Sequence, residues 1–282
     1  MPWPDLLARC GFPESGTAVT CAVSGGADSL ALLVLAVEAG CDVTVVHVDH
    51  RLRPGSERDA DIVAEVASAR GAAFRAVRAA VEWGPNLEAR ARAARYAVLP
   101  PDVLTGHTAD DQAETVLLNL LRGAGLDGLA GMRRGNRPLL SLRRFETRAL
   151  CDELGLRPVQ DETNDDLRFR RNQIRHEVMP ALDDVAERDV SALIARQADL
   201  LRDDAELLDQ LALDLDPTDA RALRDAPPPL ARRAVRRWLA NGHPPDAATV
   251  ERVLAVARGD AIATETGDGR RVERHRQRLH LT

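Results

Sequence analysis

The chain contains no lysine: all 38 of its Lys/Arg-type residues are arginine. A Walker A loop places a lysine on the β- and γ-phosphates of its nucleotide, so kinase-type and GTPase-type P-loops are excluded. Cysteine is sparse as well. Cys10, Cys21, Cys41 and Cys151 stand singly with no Cys-x-x-Cys pair, which points away from a disulfide framework and from a zinc or iron–sulfur site. No apolar run approaches the about 20 residues of a membrane span, and the stretch Met1 to Arg9 lacks the apolar core of a signal peptide. These absences lead to the expectation of a cytoplasmic chain with reduced thiols. Internal repeats and low-complexity tracts are also lacking.

With 282 residues, 45% of them apolar and 29% charged, the chain suits one large globular domain and a smaller one. A net charge of −6 does not mark a nucleic-acid binder, but the arginines are clustered. Arg122, Arg133, Arg134, Arg137, Arg143, Arg144 and Arg148 share their span only with Asp127 and Glu146. Arg168, Arg170, Arg171 and Arg175 have no acidic residue among them. Such local footprints matter more for phosphate than the global total, although an arginine run also serves as a solvated face.

The richest stretch begins with the β-forming apolar run Ala18 to Val23, fit for a strand buried on both faces. It ends in aliphatic Leu30 to Val37, which reads as a buried helix. Between them stands Ser24-Gly25-Gly26-Ala27-Asp28-Ser29. Two glycines let the backbone turn sharply beside a ligand, and the turn opens onto a helix N-terminus, where free N–H groups favour an anion. Ser24 and Ser29 add hydroxyls, and Asp28 is a candidate for Mg²⁺ on phosphates. The plain alternative is a Gly-Gly turn with Asp28 and Ser29 as helix caps.

A second strand, Asp42 to His47, runs into Val48-Asp49-His50-Arg51-Leu52-Arg53. Ligands of open α/β sheets bind beyond the carboxyl ends of strands, which makes Asp49, His50 and Arg53 site candidates. A helix over 56–69, a strand over 73–81, a helix over 86–99 capped by Asn86, and a short strand over 103–106 follow by periodicity. Then comes Thr105-Gly106-His107-Thr108-Ala109-Asp110-Asp111-Gln112-Ala113-Glu114, a strand end entering a helix. Asp111 and Glu114 share a face at that spacing. Acidic residues in a first turn also compensate the helix dipole; beside a phosphate loop, the set suits a cationic substrate group. Gly123-Ala-Gly125-Leu-Asp-Gly128 matches the dinucleotide fingerprint literally but follows a helix, so that context fails. It is expected to be a flexible loop that covers the site.

Residues 161–180 are acidic, then strongly basic, and end at Pro180. Four motifs now stand in order: Ser-Gly-Gly-x-Asp-Ser from Ser24, Val-Asp-His-x-Leu-Arg from Val48, His-x-x-Asp-Asp-Gln-x-Glu-Thr from His107, and Asp-x-Thr-Asn-x-Asp-x-x-Phe-x-Arg-Asn-x-Ile-Arg from Asp161 to Arg175. The first resembles the PP-loop of ATP pyrophosphatases, and together, over about residues 18–182, they closely resemble the tRNA(Ile)-lysidine synthetase family.

That resemblance implies an open, mostly parallel α/β sheet with helices on both faces over residues 1–182. A smaller helical region and a short C-terminal β hairpin over 183–282 would help hold tRNA. It implies ATP as co-substrate with Mg²⁺, free lysine as second substrate, the CAU-anticodon tRNA(Ile) as acceptor, no membrane, and a homodimer as an assembly compatible with the family. The residue roles that follow are Ser24, Gly25, Gly26, Ala27, Asp28, Ser29, Asp49 and Arg53 at the nucleotide, with Asp28 on the metal. Asp111 and Glu114 would face the lysine, supported by His107 and Asp110, while Arg95, Arg171 and Arg175 are weaker candidates for phosphate contacts. Another PP-loop enzyme, a cytidine thiolase, stays as an alternative, although its chemistry commonly uses paired cysteines. A non-catalytic nucleotide- or RNA-binding protein is the second. In the tail, 261–282 is expected to be a hairpin turning at Gly267-Asp268-Gly269.

Overall fold

In the computed structural model, which describes residues 3–49, 57–79, 87–159 and 165–282, the apolar runs pair as a parallel sheet. Strands β1 (Ala18–Ala22), β2 (Asp42–Asp49), β3 (Ala73–Arg78) and β4 (Leu104–Thr105) take the order β3-β2-β1-β4. Ala18 pairs with Asp42 and Ala22 with Val46, while Cys21 and Ala22 pair on the other side with Leu104 and Thr105. Chain order therefore reverses at β1, between β2 and β4. Such a switch point leaves a crevice at the strands' carboxyl ends, where open α/β sheets bind ligands.

Two compact units divide the chain, Met1–Asp199 and Leu200–Thr282. In the first, α1 (Trp3–Ala8) precedes β1, and α2 (Ala27–Glu38) follows it directly. Leu30, Leu32, Leu33 and Leu35 of α2 are wholly buried. A helix apolar all round has solvent on no side, and this one lies in the core with Val43, Val45, Leu139, Leu142 and Leu150. Helices α3 (Glu57–Ala69) and α4 (Leu87–Ala97) complete the crossovers. After β4 come α5 (Ala109–Leu121), the single-turn α6 (Leu126–Leu129) and α7 (Arg144–Glu153). Helix α8 (Arg170–Gln173) runs through a π-helical turn, Ile174–Val178, into α9 (Met179–Ala186), which closes at Glu187 in the left-handed region (φ 51°). The long α10 (Val190–Leu211) spans the boundary between the units.

The Gly123–Gly128 segment differs from the flexible loop expected of it. Gly123 closes α5 with φ 74°, and 126–129 coil into α6. Asn119 Nδ2 donates to the Gly128 carbonyl at 2.8 Å, and Gln112 exchanges hydrogen bonds with the Met132 backbone at 2.7 and 3.2 Å. Side chains of α5 thus give the turn the partners that its glycines lack.

In the second unit α11 (Ala220–Asp225), α12 (Pro228–Leu239) and α13 (Ala247–Arg258) pack on an antiparallel sheet of β5 (Ala263–Glu265), β6 (Arg271–His275) and β7 (Arg278–Leu281). The expected hairpin across Gly267–Gly269 is β5–β6. A second tight turn at Arg276-Gln277 adds β7, with Arg276 at φ 57°; an Arg-Gln pair carries no turn signal of the Asn-Gly kind. Several arginines of this basic tail bind backbone. Arg270 Nη2 donates to the Leu239 carbonyl at the end of α12, and Arg274 Nη1 to Ala257 near the end of α13, where cations oppose the helix dipole.

Candidate active site

The turn between β1 and α2 is built around one hydroxyl. Ser29 Oγ, in the first turn of α2, accepts from the backbone N–H groups of Ser24 and Gly25 at 3.2 Å each and donates to the Gly26 carbonyl at 2.8 Å. Ser24 Oγ lies 3.2 Å from it. Gly25 has φ 94°, and a Cβ there would fall 2.9 Å from Val159 Cγ2, so only glycine lets the loop lie against 156–159, where the Val159 N–H donates to the Gly25 carbonyl. Gly26 is the N-cap of α2 and carries no capping side chain. The N–H groups of a helix's first turn have no intrahelical acceptor, so Gly26, Ala27 and Asp28 present donors to an anion at the switch point.

The turn after β4 is pressed against this one. A Cβ on Gly106 would lie 2.6 Å from the Asp28 carbonyl oxygen, so glycine is required for the two strand–helix turns to meet. Thr108 caps α5, and its N–H and hydroxyl both donate to Asp111 Oδ2, at 2.8 and 3.0 Å. This is a capping arrangement, yet the other oxygen of Asp111 faces inward. His107 Nδ1 lies 2.8 Å from Thr105 Oγ1, and its charge acts on Asp111.

The carboxylates of the two turns converge on arginines from two later segments. Arg144 Nη2 bridges Asp111 Oδ1 (3.0 Å) and Glu114 Oε1 (3.1 Å), with its Nε 3.7 Å from Asp28 Oδ2. Arg171 reaches Glu114 Oε2 at 2.7 Å and Asp111 Oδ1 at 3.1 Å; Arg175 reaches Glu114 Oε1 at 2.8 Å. Glu114 is 2% exposed, and a carboxylate so buried needs such partners. Burial drives the Asp111 carboxyl up, but the guanidinium groups of Arg144 and Arg171 together outweigh it and hold the group well below the ordinary range. Asp28 goes the other way: burial pushes it up to about 6, against the hydrogen bond from Thr147. Thr147 Oγ1 donates to Asp28 Oδ1. Neighbouring carboxyls pushed in opposite directions make this a candidate site for chemistry.

Asp110 stands behind this cluster. It takes the forked guanidinium of Arg143 (2.9 and 3.1 Å) and the N–H of Arg144 (2.7 Å). Hence burial, which alone would raise its carboxyl, is overcome and the group is held below its ordinary value. Of the other residues singled out in the sequence, Asp49 ends β2, beside β1 in the sheet. His50, Arg53, the Asn86 cap and Asp161 to Asn164 lie outside the described residues. His47, expected at the end of the second strand, is a buried residue of β2 whose Nδ1 lies 2.9 Å from the Val23 carbonyl. Arg144, Thr147 and Gly106 escaped the sequence reading as site residues. The signal for Gly106 was its place between strand and cap. For Arg144 and Thr147 it was a basic pair ahead of Glu146 at a helix start.

The site as built can hold polyphosphate at the glycine turn, with guanidinium groups and carboxyls facing it. Asp28 offers one hard oxygen toward a cation. Although no group of three metal-ligating side chains occurs among the described residues, Mg²⁺ takes one or two carboxylates and completes its shell with phosphates and water, so this donor set fits it.

Comparison with known families places a PP-loop domain over residues 6–182 and a TilS substrate binding domain over 219–280. The chain is 46% identical over 247 residues to the tRNA(Ile)-lysidine synthase of Nocardia farcinica, covering 81% of this chain and 77% of the relative. With the synthase of Gloeobacter violaceus it shares 42% over 265 residues, covering 84% and 81%. Among solved structures, the U34-tRNA thiolase NcsA of Methanococcus maripaludis superimposes with a TM-score of 0.57 at 18% identity, over 71% of this chain and 78% of the thiolase. At that identity the likeness concerns the fold alone.

Proposed function

The chain belongs to the tRNA(Ile)-lysidine synthase family, and we propose that it ligates free lysine to C2 of the wobble cytidine of CAU-anticodon tRNA(Ile), as a carbon–nitrogen ligase. The C2 oxygen attacks the α-phosphate of ATP and pyrophosphate departs. The lysine ε-amine then attacks C2, and the oxygen leaves with AMP. The chemistry needs the first step because a base carbonyl oxygen is no leaving group by itself. Pairing then changes from G to A, and the tRNA from methionine to isoleucine identity.

The observation that carries this reading is the meeting, at one switch point, of the Ser24–Ser29 turn with the Asp111–Glu114 pair. Ser24, Gly25, Gly26, Ala27 and Ser29 cradle the phosphates, with Asp49 and Arg53 at the nucleotide. Asp28 holds Mg²⁺, which when bound neutralises phosphate charge. Asp111 and Glu114, assisted by His107 and Asp110, serve the lysine: they bind its α-ammonium or help the ε-amine shed the proton that a pKa near 10.4 otherwise retains. Residues 1–182 form the catalytic part and 183–282 the part that holds tRNA, in a cytoplasmic enzyme. The thiols speak against the thiolase alternative, because burial pushes Cys10, Cys21 and Cys151 up to about 12, far from the thiolate such chemistry uses.

The test is incorporation of labelled lysine into transcripts with ATP and Mg²⁺. Label is expected in the CAU-anticodon isoleucine tRNA and not in elongator methionine tRNA. AMP release without label would instead assign another nucleophile, and silence in both would favour a non-catalytic binder. Replacing Glu114 with Gln should raise the lysine KM and spare pyrophosphate release.

A further inference from the structure

Helix α7 contributes no residue to any of the four motifs, yet its first turn touches both halves of the site. Thr147 Oγ1 donates to Asp28 Oδ1 on α2 and lies 2.8 Å from the Arg144 carbonyl. Arg144 spans from Asp28 to the Asp111–Glu114 pair on α5. The helix start is itself fixed from three sides. Asp110 accepts the Arg144 N–H and clasps the Arg143 fork, Asp189 accepts from the same guanidinium, and Glu146 accepts the Arg143 N–H at 2.8 Å while pairing with Arg9. Thr147 is wholly buried and Glu146 6% exposed, so this scaffold is not a surface accident.

The geometry points to Thr147 and Arg144 as positioning residues: the start of α7, held by Asp110 and Glu146, sets the Asp28 carboxylate in one orientation and ties it to the lysine-side carboxylates, so that the two steps share one frame. A carboxylate with one oxygen hydrogen-bonded to Thr147 has its second oxygen directed: it faces Arg144 Nε at 3.7 Å, and a ligand there would share it with that guanidinium. This inference rests on the reading above, with Asp28 at the nucleotide. On this view Asp110 acts through α7 rather than on a substrate.

Two arms test it. In the first, tRNA-dependent AMP formation is followed for Thr147→Val and Thr147→Ser. The valine variant should lose roughly 100-fold in kcat, the scale of an ångström-sized misplacement, with the ATP KM within about twofold of wild type. Serine, which keeps the hydroxyl, should recover most of that loss. Wild-type kcat in T147V, or an equal loss in T147S, would overturn the proposal. Should T147V fail to fold, Asp110→Asn takes its place with the same expected split. The second arm needs no turnover. Thr147→Val should shift the melting temperature of ligand-free protein more in the wild-type background than in an Asp28→Ala background, where only the contact with the Arg144 carbonyl is left to lose, and equal shifts in both would overturn the contact. Inactive wild-type protein with that non-additivity intact would refute the ligase reading and keep the assignment of Thr147 to Asp28.

Discussion

Asp28 gives the most direct physical test, because its burial sets function against stability. Its carboxyl lies at about 6 in the fold against 3.8 when unperturbed. A raised carboxyl means that the folded state binds its proton more tightly than the unfolded state. The stability this gives is fully present below pH 3.8 and is lost as pH rises through 6. At 1.36 kcal/mol per pK unit, the ceiling is about 3 kcal/mol. The side chain keeps 26% of its surface, so water screens part of the effect and roughly 1–2 kcal/mol is the working figure. Replacing Asp28 with Asn removes the buried charge and keeps an acceptor for Thr147. In ligand-free protein at pH 8 the variant should melt higher by roughly 2–8 °C. The advantage should shrink as pH falls through 6 and vanish near 4. Scanning fluorimetry at pH 8, 6 and 4, without ATP or Mg²⁺, makes the measurement. A variant less stable than wild type at pH 8, or an advantage independent of pH, would refute the reasoning.

Further outcomes follow from other parts of the structure. Glu114→Ala removes the shared acceptor of Arg144, Arg171 and Arg175 and should cost about 3–5 kcal/mol, the penalty of stranding buried charge; chemical unfolding of Glu114→Ala against wild type checks it. Gly106→Ala forces a methyl toward the Asp28 carbonyl. It should destabilise by roughly 1–3 kcal/mol and weaken ATP binding at least tenfold in calorimetry, whereas unchanged affinity would detach the two turns. In the second unit, Arg270→Ala opens the end of α12 and should lower stability by about 1 kcal/mol with the salt dependence of tRNA binding unchanged. Arg276, exposed on the turn between β6 and β7, should behave oppositely. Its loss leaves the melting temperature in place and reduces the salt slope by about one.

The parts of this molecule written locally were legible, and those assembled from afar were not. Helix α2 declares itself because a fully buried helix needs continuous apolar sequence. Strands β1 and β2 are legible as β-forming apolar runs, but β1, expected to be buried on both faces, fully buries only Cys21, and β2 leaves Asp42 and Thr44 exposed. The Ser24–Ser29 turn declares itself because its glycines, hydroxyls and carboxylate fall within six residues. Spacing also placed Asp111 and Glu114 on one face of α5. It could not say what that face meets, since Arg171 and Arg175 lie about 60 residues on and depend on the turn from α8 into the π-helical segment. Arg144 looked like one arginine in a basic run, the pattern of a solvated face. The same composition hides opposite fates in the tail, where Arg270 and Arg274 cap helices and Arg278 pairs with Asp216.

In a chain without lysine, every such role falls to arginine, and the site shows why that matters. A guanidinium keeps its proton at any physiological pH and can fork to two carboxylates at once, as Arg144 does between Asp111 and Glu114. An amine in the same place would be a point charge, and beside carboxylates it would be a second nucleophile in a site that we read as reserving that role for free lysine. Arg144→Lys therefore separates geometry from charge. Retained charge with a lost fork should leave Asp111 and Glu114 unbridged, so kcat for lysine transfer should fall at least tenfold while pyrophosphate release changes less. Equal loss in both steps would place Arg144 at the nucleotide alone, and no loss would show that charge suffices and the fork does nothing.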